Sequence, residues 1–189
     1  MTVWLANTVY RTMCEEGAAL HPLESGGIIL GWRAGNDIVA IDVRGPGPQA
    51  LHGRYRFLPD HQWQVAEIHR LFEETAGDID YLGDWHSHPD GTSVMSSEDH
   101  ATLRRISRRV HEPLMLIIAD DTSQEGWTMG CWKGHRHPGL IFRRFEVIIE
   151  PIKLFEPPPT WAIEHLKASR KGRRLDGLSW KKLRDTGRC

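Results

Sequence analysis

Gly83-Asp84-Trp85-His86-Ser87-His88-Pro89, continued through Ser96 and Asp99, is the stretch on which the reading of this chain turns. Two imidazoles flank one small residue, and a carboxylate stands eleven positions after the second. Two nitrogen donors and one oxygen donor suit a borderline divalent cation such as zinc. Three protein ligands, rather than four, leave a position for water, as in a catalytic metal site. The apolar run Ile79 to Trp85 predicts a strand end, and in a strand residues two apart share a face. His86 and His88 then face one point while Ser87 turns away. Pro89 has no backbone donor and ends the pairing, and Asp90-Gly91-Thr92-Ser93 reads as a loop. Ser96 and Ser97 offer N-cap hydroxyls, and Glu98 and Asp99 put acid in a helix's first turn. Leu103, Ile106 and Val110 give that helix one apolar face.

A metal hydrolase also needs a base, and Glu24 stands far upstream in Glu24-Ser25-Gly26-Gly27-Ile28-Ile29-Leu30-Gly31. Glu-Ser-Gly-Gly-x-x-x-Gly, followed by His-Ser-His-Pro-x6-Ser-x-x-Asp, resembles the signature of the JAMM (JAB/MPN-plus) metallopeptidases. Each polar position of that signature is filled, by Glu24, His86, His88, Ser96 and Asp99. The resemblance covers roughly residues 20 to 150. It implies a JAB/MPN-like α/β fold with a cytidine-deaminase-like layout, and one Zn2+ per chain held by His86, His88 and Asp99. It further implies Glu24 as the general base that passes a proton to the leaving amine, and Ser96 as a donor to the developing oxyanion.

The short contexts around both halves look like the compact prokaryotic branch of that family. Members of that branch process ubiquitin-like or sulfur-carrier proteins, and some sit in antiphage operons beside activating and conjugating enzymes. The leading expectation is therefore a cytoplasmic isopeptidase that releases a ubiquitin-like protein, or a conjugated cGAS-like nucleotidyltransferase, in a defence pathway. A peptidase trimming a sulfur-carrier precursor is the alternative within the same chemistry. A non-cleaving RadC-like or scaffold protein is the alternative outside it. RadC-like chains carry Asn between the histidines, where this chain has Ser87.

His135-Arg136-His137-Pro138 repeats the His-x-His-Pro core without its continuation: Phe145 and Ile148 stand where Ser and Asp would be needed. It reads as a loop with surface histidines, with a second, structural metal as the other reading. The composition, 189 residues with 40 % hydrophobic and 26 % charged, fits one globular domain with an ordinary core and an appendage. No apolar run approaches the ~18 residues of a membrane span, and the first residues lack the pattern of a signal peptide. Three scattered cysteines, Cys14, Cys131 and Cys189, form no disulfide framework and point to a reducing compartment. Most of the eight tryptophans should be core or pocket wall, and Trp85, beside His86, is a candidate shield for the metal.

Taken in order, residues 4 to 19 predict a helix ended by His21-Pro22. Gly26 to Trp32 and Ile38 to Val43 predict a hairpin, with two glycines at its start for close approach beside a substrate. Residues 45 to 54 are a candidate substrate rim or plain linker. Tyr55 to Leu58 predicts a short strand. Asp60 caps a helix carrying Trp63, Val65, Ile68, Leu71 and Phe72, and Gly77-Asp78 closes it. Arg104, Arg105, Arg108 and Arg109 read as the solvated face of the helix after the motif, or as a surface for an acidic partner. Leu114 to Ala119 reads as a buried central strand, and Gly126 to Lys133 and Leu140 to Ile149 as two more. The total is an α/β domain with a mixed sheet of about six strands and two or three helices. Pro157-Pro158-Pro159 sets a boundary between residues 1–156 and a basic tail. Residues 161–189 hold nine Lys/Arg against three acids, plus six; the chain's totals of 24 and 25 leave minus seven before them. A nucleic-acid role for that tail is not favoured, because no aromatic residues interleave along a groove.

Overall fold

The computed structural model describes residues 1–89, 91–121, 126–137 and 144–156. Strand β1 (Val3–Ala6) runs directly into helix α1 (Asn7–Leu20). Strands β2 (Gly26–Ala34) and β3 (Asp37–Arg44) form the expected antiparallel hairpin. A short hairpin, β4 (Leu51–His52) and β5 (Phe57–Leu58), precedes helix α2 (His61–Glu74). Then come strand β6 (Asp80–His88), helix α3 (Ser97–Ile106) and the antiparallel run β7 (Leu114–Asp121), β8 (Gly126–Arg136) and β9 (Phe145–Ile149). Strand β10 (Ile152–Phe155) follows.

Eight strands form one mixed sheet in the order β10-β1-β3-β2-β6-β7-β8-β9, and β4 pairs only with β5. The α/β class, mixed sheet and three helices agree with expectation; the strand count of about six falls short. Residues 4 to 6 were expected to be helical and are strand, because β1 is wedged between two parallel partners, β3 and β10. Strand β10 had no counterpart in the sequence reading, and β9 begins only at Phe145. The expected strand residues 140–143, Asp90 of the expected loop, and the tail 157–189 with Cys189 lie outside the described residues.

Strands β9 and β10 occupy opposite ends of the sheet order, yet only Glu150 and Pro151 separate them. A chain crosses at most about 11 Å in three residues, so the sheet must curl until its two edges nearly meet. The crossing is tied down on both sides: the Glu150 N–H donates to the Cys131 carbonyl at 3.0 Å, and the Val3 N–H donates to the Pro151 carbonyl at 2.9 Å.

Strand β7 shows why its sequence reads as unbroken apolar. Leu114, Leu116 and Ile118 join a core with Val9 and Met13 of α1, while Met115 and Ile117 join a second with Leu103 of α3. Both faces are covered, so neither set of alternate positions can be polar. Each such side chain, wholly buried, contributes roughly 1.5–3 kcal/mol. The same alternation on β6 sends Trp85 into the α1 core, where it is buried and donates from Nε1 to the Arg44 carbonyl at 3.4 Å. Trp85 therefore does not shield the expected ligands His86 and His88, which stand on the other face of β6.

Gly26 and Gly27 were expected to make room for a substrate. The neighbours that need their missing side chains belong to the chain itself: a Cβ at Gly27 would collide with the Arg44 carbonyl on β3, and one at Gly26 with the Trp85 carbonyl on β6 and the Phe57 ring on β5. Helix α2 also departs from its predicted apolar face. Gln64 is its buried residue, donating from Nε2 to the Gly45 carbonyl at 3.2 Å, whereas Val65 is exposed. Asp60 caps this helix as expected, accepting from the Trp63 N–H at 3.1 Å. The apolar stretch α3 offers is shorter than predicted, since the helix stops at Ile106 before Val110.

Candidate metal centre

Strand β6 lies between β2 and β7, with His86 opposite Gly26 on one side and Ile117 on the other. His86 and His88 share a face, as the two-residue spacing requires. Their Nε2 atoms stand 3.0 Å apart. Asp99 meets them from the first turn of α3, with Oδ1 3.1 Å from His86 Nε2 and Oδ2 3.5 Å from His88 Nε2. Tetrahedral coordination with bonds of ~2.0–2.1 Å places ligand atoms about 3.3 Å apart, so these separations fit one cation held by all three. Among the described residues this is the one cluster of three or more His, Cys, Asp or Glu donors compact enough to hold a metal ion.

The supporting contacts favour the same chemistry. His88 donates from Nδ1 to the Thr92 carbonyl at 2.8 Å, so that when the ring is neutral its Nε2 lone pair faces the cluster. The loop that supplies Thr92 is anchored by buried Met95, packed with Leu103, Met115 and Ile117. Ser96 then caps α3 with its side chain and main chain together. Its Oγ accepts the Asp99 N–H at 3.2 Å, and its own N–H donates to Asp99 Oδ2 at 2.7 Å. The cap thereby fixes the Asp99 carboxylate, and Oδ1 is the oxygen left turned to His86.

Burial disfavours charge on Asp99, but hydrogen bonds from His86 and His88 hold its carboxyl well below the usual carboxylate range. The matching effect raises His88: burial lowers its pKa, and the Asp99 and Thr92 contacts more than offset this. The nearby Glu24 charge acts in the same direction on His88. Asp84 shares the face of His86 and His88. Burial raises its pKa, and it accepts the Tyr81 hydroxyl at 2.6 Å. That half-buried pair was not anticipated from the sequence, where Asp84 reads only as the residue before Trp85.

Glu24 and the metal strand are brought together by Ser25 and Ser87. The Ser25 N–H donates to Ser87 Oγ at 2.9 Å, and the Ser87 N–H donates to the Ser25 carbonyl at 2.7 Å. Ser87, turned away from the ligands, thus ties the Glu24 segment to their strand. The structure therefore gathers all five of the expected site residues, Glu24, His86, His88, Ser96 and Asp99, around one end of β6.

The second His-x-His pair is different. His135 lies on β8 rather than in a loop, half-buried, with Nδ1 2.5 Å from Glu112 Oε1. His137 Nε2 is 2.7 Å from Glu146 Oε2. Each ring has its own carboxylate, so the four donors do not converge. His135–Glu112 belongs to an ion-pair network through Lys133 to Glu150. Cys14 is half-buried, with burial pushing its thiol up to about 11, and Cys131 is buried. Neither joins the metal cluster. No helix of the described residues is long and apolar enough to cross a membrane.

Residues 6–132 match the family model Prok-JAB, described as prokaryotic homologs of the JAB domain. A protein of Sinorhizobium fredii named probable metalloprotease y4qB is 31 % identical over 162 residues, covering 82 % of this chain and 97 % of that protein. A Vibrio cholerae protein named CD-NTase/cGAS isopeptidase is 33 % identical over 131 residues, covering 67 % of this chain and 79 % of that one. The solution structure of protein DSY2949 from Desulfitobacterium hafniense superposes with a TM-score of 0.62 at 20 % identity, covering 82 % of this chain and 94 % of that one.

Proposed function

Because the chain belongs to the Prok-JAB family, the prokaryotic homologs of the JAB domain, and its relatives are named as a metalloprotease and isopeptidases, we propose that it is a zinc-dependent isopeptidase acting on the C-terminal amide of a protein conjugate. The observation that carries this reading is the convergence of His86 Nε2, His88 Nε2 and Asp99 at distances of 3.0, 3.1 and 3.5 Å. The names of two relatives add a substrate class. The Vibrio cholerae protein and a protein of Escherichia coli, 33 % identical over 67 residues, are both named CD-NTase/cGAS isopeptidase. The conjugate would thus be a nucleotidyltransferase of that kind, or a ubiquitin-like protein, joined through its C-terminus in an antiphage pathway of the cytoplasm.

A divalent cation on this cluster supplies a Lewis acid for the amide carbonyl and lowers the pKa of water toward neutrality. Glu24 accepts the proton of the attacking water and delivers it to the departing amine as the C–N bond breaks. The Ser96 hydroxyl accepts the Asp99 N–H through its oxygen, which leaves its own hydrogen to donate to the developing oxyanion. His86, His88 and Asp99 serve as ligands and take no proton during turnover. No thiol is required.

The test uses purified wild type and Glu24→Ala with a ubiquitin-like protein or a nucleotidyltransferase fused through its C-terminus to a reporter, with and without a chelator. Cleavage by the wild type alone, lost on chelation and restored by zinc, is the expected result. Cleavage that survives chelation, or survives Glu24→Ala, would overturn the assignment. Stoichiometry is read separately: one zinc per chain is expected, retained in Glu24→Ala and lost in His86→Ala.

A further inference from the structure

Glu24 stands just ahead of β2, in neither helix nor strand. Its peptide is nevertheless held from both ends by neighbouring residues of one hairpin. The Glu24 N–H donates to the Gly53 carbonyl at 2.9 Å, and the Glu24 carbonyl lies 2.8 Å from His52 Nδ1. A carbonyl only accepts, so Nδ1 carries the proton in this contact.

The donor is itself held. His52 stacks on its cross-strand partner Phe57, with ring centroids 5.5 Å apart and planes at 29°. The Phe57 ring in turn fills the place where a Cβ on Gly26 would stand, 2.9 Å from it. The Gly53 N–H closes the hairpin onto the Arg56 carbonyl at 2.8 Å. On its other side Glu24 is followed by Ser25, locked to Ser87 of the metal strand. Two clamps therefore bracket a single residue outside regular structure. One belongs to the strand that carries the ligands. The other depends on one side chain, His52.

We propose that His52 is a positioning residue for the reaction: its Nδ1–H holds the Glu24 carbonyl and so sets the direction in which the Glu24 carboxylate leaves the main chain. This rests on the reading of Glu24 as the general base. In this role His52 donates its Nδ1–H to the main chain rather than to a reacting atom. Without it the Glu24–Ser25 peptide keeps the Ser25 N–H bond to Ser87 Oγ but loses its own tie to the hairpin, and its carbonyl can tilt about the bond that remains. A side chain displaced by ~1 Å from its productive position costs on the order of 100-fold in rate.

His52→Phe keeps the ring on Phe57 and removes the donor. His52→Asn places an amide N–H close to the position of Nδ1. The expected result is a fall in kcat of about 10- to 100-fold for His52→Phe, with KM and zinc content unchanged, and substantial recovery in His52→Asn. Wild-type kcat in His52→Phe, or equal losses in both variants, would overturn the proposal. Glu24→Gln separates the two levels of the argument. An active Glu24→Gln removes the base assignment and this proposal together, whereas an inactive one beside an unimpaired His52→Phe removes only the positioning role. If His52→Phe does not hold its zinc, nitrogen-15 NMR of the wild type decides: a slowly exchanging Nδ1–H is expected, and an Nε2–H tautomer would overturn it.

Discussion

Ser96 and Asp99 each do two things with one set of atoms. Ser96 Oγ accepts the α3 N–H of Asp99 and, in the proposed mechanism, offers its hydrogen to the substrate, while Asp99 accepts the Ser96 N–H with Oδ2 and faces His86 with Oδ1. The structural and chemical roles of Ser96 separate under substitution. Ser96→Ala loses the cap, at a cost of about 0.5–2 kcal/mol, whereas Ser96→Gly loses only a few tenths. Both lose the proposed oxyanion donor, a contact of a kind worth ~10²–10³ in kcat. Urea unfolding should therefore distinguish the two variants while turnover assays find them equally impaired. Turnover that followed stability instead would reduce Ser96 to a cap. The placement of residues 86, 88, 96 and 99 was legible in the sequence because strand parity and the helix cap are local rules, whereas Glu24, far upstream, entered through the family resemblance. The Thr92 carbonyl and the His52 contact were not legible. One is a backbone group, which leaves no mark on residue identity, and the other depends on where a two-stranded hairpin falls.

At the scale of elements, β7 carries the greatest share of the burial. Leu116 faces α1 and is wholly buried. Leu116→Ala should cost about 2–5 kcal/mol, whereas Arg108→Ala, on the exposed turn after α3, should stay within about 0.5 kcal/mol. Chemical denaturation of both variants checks the contrast, and a small loss at Leu116 would mean that the β7 site collapses around the change. Such strands announce themselves, since both faces are apolar. Strand β1 did not. Its Val3, Leu5 and Ala6 are buried by β3 and β10, partners 35 and 149 positions away in the register Val3↔Ile38 and Val3↔Ile152. Nothing in a local window reports such distant pairing, and the four residues merge into the helix pattern that follows them. Helix α2 misled for another reason: Gln64 is buried because the Gly45 carbonyl needs a donor, a requirement set by the loop opposite rather than by helical period.

For the whole molecule, metal and fold are linked through His88. In the metal-free protein its pKa lies above the ordinary value of about 6.5. The His88–Asp99 contact then stabilises the fold fully below the unfolded value and is lost as pH rises through the folded one. A cation requires the unprotonated ring, so it competes with that proton. The stabilisation by zinc should therefore be small near pH 5 and grow toward pH 8. At a hundredfold excess over Kd it should reach about 2.7 kcal/mol, or roughly 5–10 °C in Tm for a domain of this size. Paired melts with zinc and with chelator across that range check it; a gap that ignored pH would remove the imidazoles from coordination. The curled sheet has a consequence in time. Val3 pairs in register with Ile152, so the outer side of β1 has no partner until 149 further residues have been made. At ~5–20 residues per second that wait is about 7–30 s. The strands of the metal site, β2, β6 and β7, are all synthesised within the interval. On the ribosome, the end of the molecule that gathers His86, His88 and Asp99 can take shape while its sheet is still open.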